Sequence, residues 1–300
     1  MVPSVTDTKY ARYVGFWRDF IPDAWILHGE FAKRGRRLGR KVNVLGPFLP
    51  KPFSTSVPYV RFLGRMLAAQ RDFDFFVTHE NRPFIPNMAN YHIGFWTNED
   101  SHRVHRFPYW MALLDFDEEV STSPRGDFLR AHDLVSSSGA RVGESFHSRR
   151  NRAVIVTRHL IEPRKSLFKW VDEVIGCDGY GPAFNRPVPS KDHLLRQYQF
   201  NLCPENSDGD GYVTEKVPQA VAAGCVPITW ANPSAVKLDF NPDAMVNLYG
   251  LDAHEARKAL LQLTTSAAKI DSIRQSTLLR TLPTLSGVRT FIANAELKRA

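Results

Sequence analysis

The sequence predicts an α/β protein of two Rossmann-like domains with largely parallel sheets. Strand-like apolar runs alternate with helix-like amphipathic runs through much of the chain. The pattern lapses over residues 115–148, which are polar and rich in Ser and Asp, and then starts afresh. The chain's 300 residues are enough for two domains, each with its own core. The boundary is expected near residue 150, giving an N-terminal domain 1–150 and a C-terminal domain 151–300. Two such halves are expected to face a central cleft, with ligands at strand carboxyl ends.

In the first half, Val42–Leu45 and Phe73–Thr78 read as strands, and Tyr91–Trp96 as a shorter one. Pro58–Gln70 reads as a helix, because Val60, Leu63, Met66 and Leu67 fall on one face. Within 115–148 a helix is expected around Phe128–Val135, and otherwise loop. The second pattern opens with a strand at Ala153–Thr157. Pro163 suits the first turn of a helix that runs through Leu167, Trp170, Val171 and Val174. Phe200–Cys203 then reads as a buried strand, Thr214–Ala223 as a helix and Val226–Thr229 as the next strand. Gly224 is placed to stop that helix.

Composition narrows the class. Hydrophobic residues are 43% and charged residues 23% of the chain, the balance of a soluble globular protein. No apolar run approaches the roughly 20 residues that span a bilayer. The opening Met1–Asp7 lacks the basic and apolar regions of a signal peptide, so a cytoplasmic protein is expected. The three cysteines, Cys177, Cys203 and Cys225, are not at metal-ligand spacing and are expected to be reduced and buried. The net charge of +8 calls for an anionic partner: a nucleic acid, an acidic membrane surface or a phosphate-bearing substrate. Two basic clusters, Lys33–Arg37 with Arg40 and Lys41, and Arg149, Arg150 and Arg152, are expected to be solvated faces. They also offer peripheral contact with the inner membrane, although no dedicated membrane element accompanies them.

The densest chemistry runs from Phe200 to Lys216. A buried strand leads into a loop with Gly209 and Gly211, and then a helix must begin, because Pro218 is tolerated only near a first turn. Thr214 is the expected N-cap. Lys216 would then bring a full charge to a helix N-terminus that already favours phosphate. Glu215 would repel an anion and suits a neutral group such as a ribose diol. A plain solvated strand–loop–helix remains the alternative on these grounds alone. Calcium is excluded as a reading of Asp208 and Asp210, because Tyr212 occupies a ligand slot and no Glu follows at the required offset.

The run Phe200–Cys203, Glu205–Ser207, Gly211–Lys216, continuing through Val226–Trp230, Pro233–Ser234 and Asp239–Pro242, resembles the signature of the family-10 α-1,3/1,4-fucosyltransferases, the bacterial ones in particular. Upstream, His79-Glu80-Asn81, Pro86-Asn87 and Tyr91–Phe95 resemble that family's acceptor-side motif, and Arg103–Tyr109 resembles the stretch after it. The resemblance implies a GT-B fold, with an N-terminal acceptor-binding domain and a C-terminal domain that binds GDP-fucose. Asn206, Tyr212 and Lys216 would contact the diphosphate or the fucose and Glu215 the ribose, and Glu205 is grouped with them. Arg164 falls where the family has a phosphate-binding arginine. Arg158 is the alternative, since His159–Pro163 departs from the family's wording.

Glu80 matches the family's proposed general base; by itself it reads as a carboxylate capping its own loop beside Asn81. The implied reaction is inverting transfer of L-fucose from GDP-fucose to a glycan hydroxyl, with GlcNAc of a lactosamine-type unit and an α-1,3 linkage as the family default. No cofactor and no obligatory metal are expected, because side-chain cations are available to the leaving diphosphate. The alternatives are the same machinery with another GDP-sugar donor, or a basic nucleic-acid-binding protein. No nucleic-acid-binding module is present to support the latter.

Overall fold

The computed structural model describes residues 4–16, 20–48, 73–82, 84–86, 88–97, 102–116 and 129–297. The chain divides into two compact units, residues 1–112 with 284–300, and residues 113–283. The expected helix at Pro58–Gln70 lies outside the described residues, as do Asn87 and Phe128.

The first unit is built on a sheet of six strands among the described residues: β1 (Ser4–Asp7), β2 (Ala11–Phe16), β3 (Val42–Leu45), β4 (Phe75–Val77), β5 (Tyr91–Gly94) and β6 (Val104–Arg106). They stand in sequence order, and every pair after the antiparallel β1–β2 ribbon is parallel. The strand runs read in the sequence are found, with β4 and β5 shorter than their apolar stretches. Between β2 and β3 the chain forms α1 (His28–Leu38), whose buried Phe31 stacks on Trp25 and meets Phe75. Gly39 ends it at φ 72°, a conformation that suits glycine. The short α2 (Tyr109–Ala112) follows β6.

The second unit begins before the expected boundary. Its first elements are the paired strands β7 (Leu114–Asp115) and β8 (Leu129–Arg130), then α3 (Ala131–Val135) and α4 (Ser138–Val142). These segments belong to the second core because Phe146 is wholly buried in it and Leu134 is also fully buried. Part of the polar composition read as loop comes from capping side chains among the described residues. The Ser137 hydroxyl, for instance, accepts from the Ala140 N–H.

The main sheet joins β9 (Arg150–Val156), β10 (Cys177–Tyr180), β11 (Tyr198–Leu202), β12 (Val226–Thr229) and β13 (Val246–Asn247) in the order β10-β9-β11-β12-β13, all parallel. Its helices are α5 (Arg164–Val174), α6 (Lys191–Leu195), α7 (Lys216–Ala222), α8 (Pro233–Asp239), α9 (Ala253–Thr265) and α10 (Ala267–Gln275). Ala153 and Ile155 of β9, Phe200 and Leu202 of β11, and Val226 and Ile228 of β12 pack with Leu167 and Val171 of α5 and Leu260 of α9. Both β11 and β12 are buried throughout, and the polar Gln199 and Asn201 of β11 donate to the Phe146 and Val154 carbonyls.

After α10 the chain returns to the first unit. There α11 (Ser286–Asn294) lays Phe291 against Tyr91 and His105, and the Arg34 guanidinium donates to the Ala295 carbonyl.

The basic clusters are spent within the fold only in part. Arg149 donates to the Ala223 carbonyl, and Arg40 grips the buried Asp74 through two bonds of 2.7 and 2.8 Å. The expectation of solvated faces is corrected for these two, whereas Arg36, Arg37, Arg150 and Arg152 are exposed. All three cysteines are unpaired and buried. Among the described residues no helix is long and apolar enough to cross a membrane.

Candidate active site

The order of the second sheet fixes where a ligand belongs. From β9 the chain steps outward to β10 and then back past β9 to β11, so the winding direction reverses between β9 and β11. In open parallel sheets, ligands bind outside the carboxyl ends of the strands at this reversal. The segments leaving those two strands are Thr157–Arg164 and Cys203–Lys216.

The second segment is wired around Glu205. This carboxylate is 1% exposed, and its backbone N–H donates to the Trp230 carbonyl just past β12. Its side chain accepts from the Thr214 backbone N–H at 2.7 Å, from the Thr214 hydroxyl at 2.7 Å and from Lys216 Nζ at 2.8 Å. Lys216 also donates to Thr214 Oγ1 at 2.6 Å, so two of its three N–H donors are used here. The intervening loop turns through Gly211 at φ 72°. Asp208 ties it down by accepting from the Tyr249 hydroxyl at 2.7 Å and from Asn232 at 3.1 Å.

Two expectations are corrected. Thr214 does not cap α7: the N-cap is Glu215, without a side-chain cap bond, because the Thr214 hydroxyl is committed to Glu205. Glu205 itself is enclosed, with both oxygens taken by Thr214 and Lys216, which makes it a support for Lys216 rather than a surface for a ligand.

The first segment brings in Arg164, the opening residue of α5. Its guanidinium donates to the Asn206 side-chain oxygen and to the His159 carbonyl at 3.3 Å. Burial lowers its pKa, while Glu205 and Tyr212 lie close enough to raise it electrostatically. Arg164, Glu205, Asn206, Tyr212 and Lys216 therefore form one constellation. Arg158, the alternative arginine, is exposed.

Glu215 lies beside them. Burial opposes its ionisation, but Lys216 and Lys191 outweigh burial and hold its pKa below the ordinary value. Lys216 is the mirror case: burial works against its charge, and Glu205, Glu215 and Tyr212 raise its pKa well above the usual lysine range.

Lys191 was not singled out in the sequence. It opens α6 behind the Ser190 N-cap, donates to Gln219 Oε1 at 2.6 Å and faces Glu215, so the constellation holds a second lysine. The only local signal was a serine cap ahead of Leu194 and Leu195, which marks a helix start and nothing more.

In the first unit, Glu80 follows β4. The loop there is capped by Thr78, whose hydroxyl accepts from the Glu80 N–H at 3.1 Å and lies 3.1 Å from the Glu80 carbonyl. The Glu80 carboxylate is half-buried and makes no hydrogen bond to another described residue, so loop capping is Thr78's task. Trp96 Nε1–H donates to the Arg82 carbonyl at 2.9 Å and His92 Nε2–H to the Pro86 carbonyl at 3.2 Å, which pin the loop to β5. His79 is buried against Tyr109, with ring centroids 5.3 Å apart, and neither ring nitrogen has a described partner. Burial pushes its pKa down to about 4. Among the described residues no group of three or more His, Cys, Asp or Glu side chains is arranged to hold a metal ion.

Residues 147–269 match Glycosyltransferase family 10 (fucosyltransferase) C-term. The chain is 28% identical over 256 residues to alpha-(1,3)-fucosyltransferase FucT of Helicobacter pylori, covering 78% of this chain and 52% of that protein. It is 30% identical over 156 residues to alpha-(1,3)-fucosyltransferase 7 of Mus musculus, covering 50% and 38%. The chain thus spans about half, or less, of the length of the curated relatives it matches. Among solved structures, an alpha1,3-fucosyltransferase superposes with a TM-score of 0.63 at 22% identity, over 84% of this chain and 78% of that one. An alpha1,3-fucosyltransferase with GDP-fucose gives 0.59 at 23%, over 77% and 81%. The fold is that of the GT-B fucosyltransferases.

Proposed function

Because residues 147–269 match the C-terminal model of glycosyltransferase family 10 (fucosyltransferase), we propose that this chain transfers L-fucose from GDP-fucose to a glycan hydroxyl, with inversion at the anomeric carbon. The observation that carries this reading is the meeting of Arg164, Asn206, Tyr212 and Lys216 at the reversal point of the parallel sheet. Two cations there suit a diphosphate. Glu205 holds the Lys216 ammonium in place, and Glu215, kept ionised beside two lysines, suits the ribose hydroxyls. The C-terminal unit is accordingly the donor-binding one, and the N-terminal unit carries the acceptor side.

In the proposed step, the Glu80 carboxylate accepts the proton of the acceptor hydroxyl as that oxygen bonds to the anomeric carbon. The bond from that carbon to the phosphate oxygen breaks, and GDP departs from the opposite face with the electron pair. Arg164 and Lys216 stabilise the charge that develops on the diphosphate, so activity is expected to persist in chelator. The acceptor is proposed to be GlcNAc of a lactosamine-type unit, joined in α-1,3 linkage.

The test is GDP release from GDP-fucose against an acceptor panel, with and without EDTA, and with GDP-mannose as a competing donor. Glu80→Ala is expected to lower kcat by about 10²- to 10⁴-fold, the usual worth of a positioned general base. Full activity in that variant removes Glu80 from the reaction. No turnover of GDP-fucose with any acceptor, alongside turnover of another GDP-sugar, overturns the donor assignment. An α-linked product, read from its anomeric proton coupling, is required by inversion.

A further inference from the structure

The second unit contains a cavity of about 490 Å³ that none of Arg164, Asn206, Tyr212 or Glu215 lines. It lies between α6 and α7, and the β8–α3 segment contributes to its wall. Four cationic side chains, Arg130, Arg141, Lys191 and Arg196, line it, against two carboxylates, Asp133 and Asp192.

The carboxylates are already engaged. Asp192 accepts from Arg196 Nε at 2.8 Å, and Asp133 lies 3.8 Å from Arg141. Arg141 spends its fork on the carbonyls of Val221 and Ala222 at the end of α7. Among the described residues Lys191 hydrogen-bonds the neutral Gln219 amide, while Glu215, outside the lining, favours its charge, and Arg130 is exposed with no ion pair. The like charges of Arg141, Arg149 and Arg196 also act on one another. The lining therefore carries two more cations than carboxylates, one of them, Lys191, shared with Glu215.

A volume of this size falls in the range of small-molecule sites, roughly 300–1,000 Å³. Guanidinium forks and an ammonium are the groups that bind phosphate oxygens. We propose that this cavity is a second anion site, which takes a small phosphorylated molecule of sugar-phosphate size while the donor constellation is occupied. Lys191 forms one wall of the cavity and also faces Glu215 and Lys216, so occupancy of the cavity is felt electrostatically at the donor residues.

The experiment is calorimetric titration of inorganic pyrophosphate, at constant ionic strength, into the full chain alone and in saturating GDP. Binding that survives GDP is expected. It should weaken at least tenfold in Arg130→Ser/Arg196→Ser, two exposed positions whose change leaves GDP affinity and the circular dichroism spectrum intact. Complete displacement of pyrophosphate by GDP, no pyrophosphate binding, or wild-type affinity in the double variant overturns the proposal. Should GDP itself fail to bind, the donor reading falls, and the double variant still reports on the cavity.

Discussion

A buried ion pair contributes little net stability while intact and costs much when halved. Glu205 and Lys216 are such a pair, with side chains 2% and 16% exposed. Glu205→Ala leaves Lys216 and the Thr214 N–H without their acceptor, and a loss of about 3–5 kcal/mol is expected in urea unfolding. Glu205→Gln keeps an acceptor for Thr214 and should lose less. In the other unit, His79 and His92 are held neutral by burial, each pushed down to about 4. Their folded pKa values lie below the unfolded value, so the stability they contribute is complete above about pH 6.5. It declines as pH falls from there to about 4, by about 1.4 kcal/mol per pH unit for each group. Thermal melts at pH 7 and pH 5 should show the fall, and His79→Phe should flatten part of it. At this scale the donor residues were readable because most lie within one short run of sequence, Glu205 to Lys216. Lys191 was hidden because its partners, Gln219 and Glu215, lie more than a helix away along the chain.

Elements were legible where one physical signal dominated. The runs at Val42–Leu45 and Val226–Thr229 form strands at those very residues, where every side chain but that of Asn43 is buried. Thr214–Ala223 starts late as a helix because a hydrophobic pattern cannot reveal that a hydroxyl is claimed by a distant carboxylate. Gly224 behaves as the sequence suggests. Its φ is 79°, and its N–H closes α7 on the Val221 carbonyl at 2.8 Å. A Cβ at this position would lie 2.3 Å from Val142 Cγ2. Gly224→Ala therefore combines backbone strain with a clash across to α4, and a destabilisation of about 2–3 kcal/mol is expected by chemical denaturation. Because the clash presses on the α4 side rather than on the Glu205 network, GDP affinity should change less than stability does.

For the molecule as a whole, local pattern was the weaker guide. A change of composition near residue 150 marks the start of β9, whereas the units divide between Ala112 and Leu113 and again at Thr284. Nothing local to 284–300 announces that α11 belongs with strands some two hundred residues earlier. The buried Val288 and Ile292, Phe291 against Tyr91 and the Glu296 N–H donating to the Tyr91 hydroxyl at 2.7 Å disclose it. Burying two such side chains is worth about 1.5–3 kcal/mol each, a sizeable part of the 5–15 kcal/mol that holds a domain together. A chain cut after Pro283 should show fast amide exchange in β2 through β5 and near-native protection in β9 through β12. Equal protection of both sheets would show that α11 is dispensable.

The same crossing sets an order on biosynthesis. A ribosome releases the continuous stretch 113–283 whole, whereas the opening sheet must wait for a helix translated after that stretch. The portion made second can therefore mature first, and the sheet made first stays unfinished, its aromatic residues Phe75 and Tyr91 lacking Phe291, until α11 has emerged.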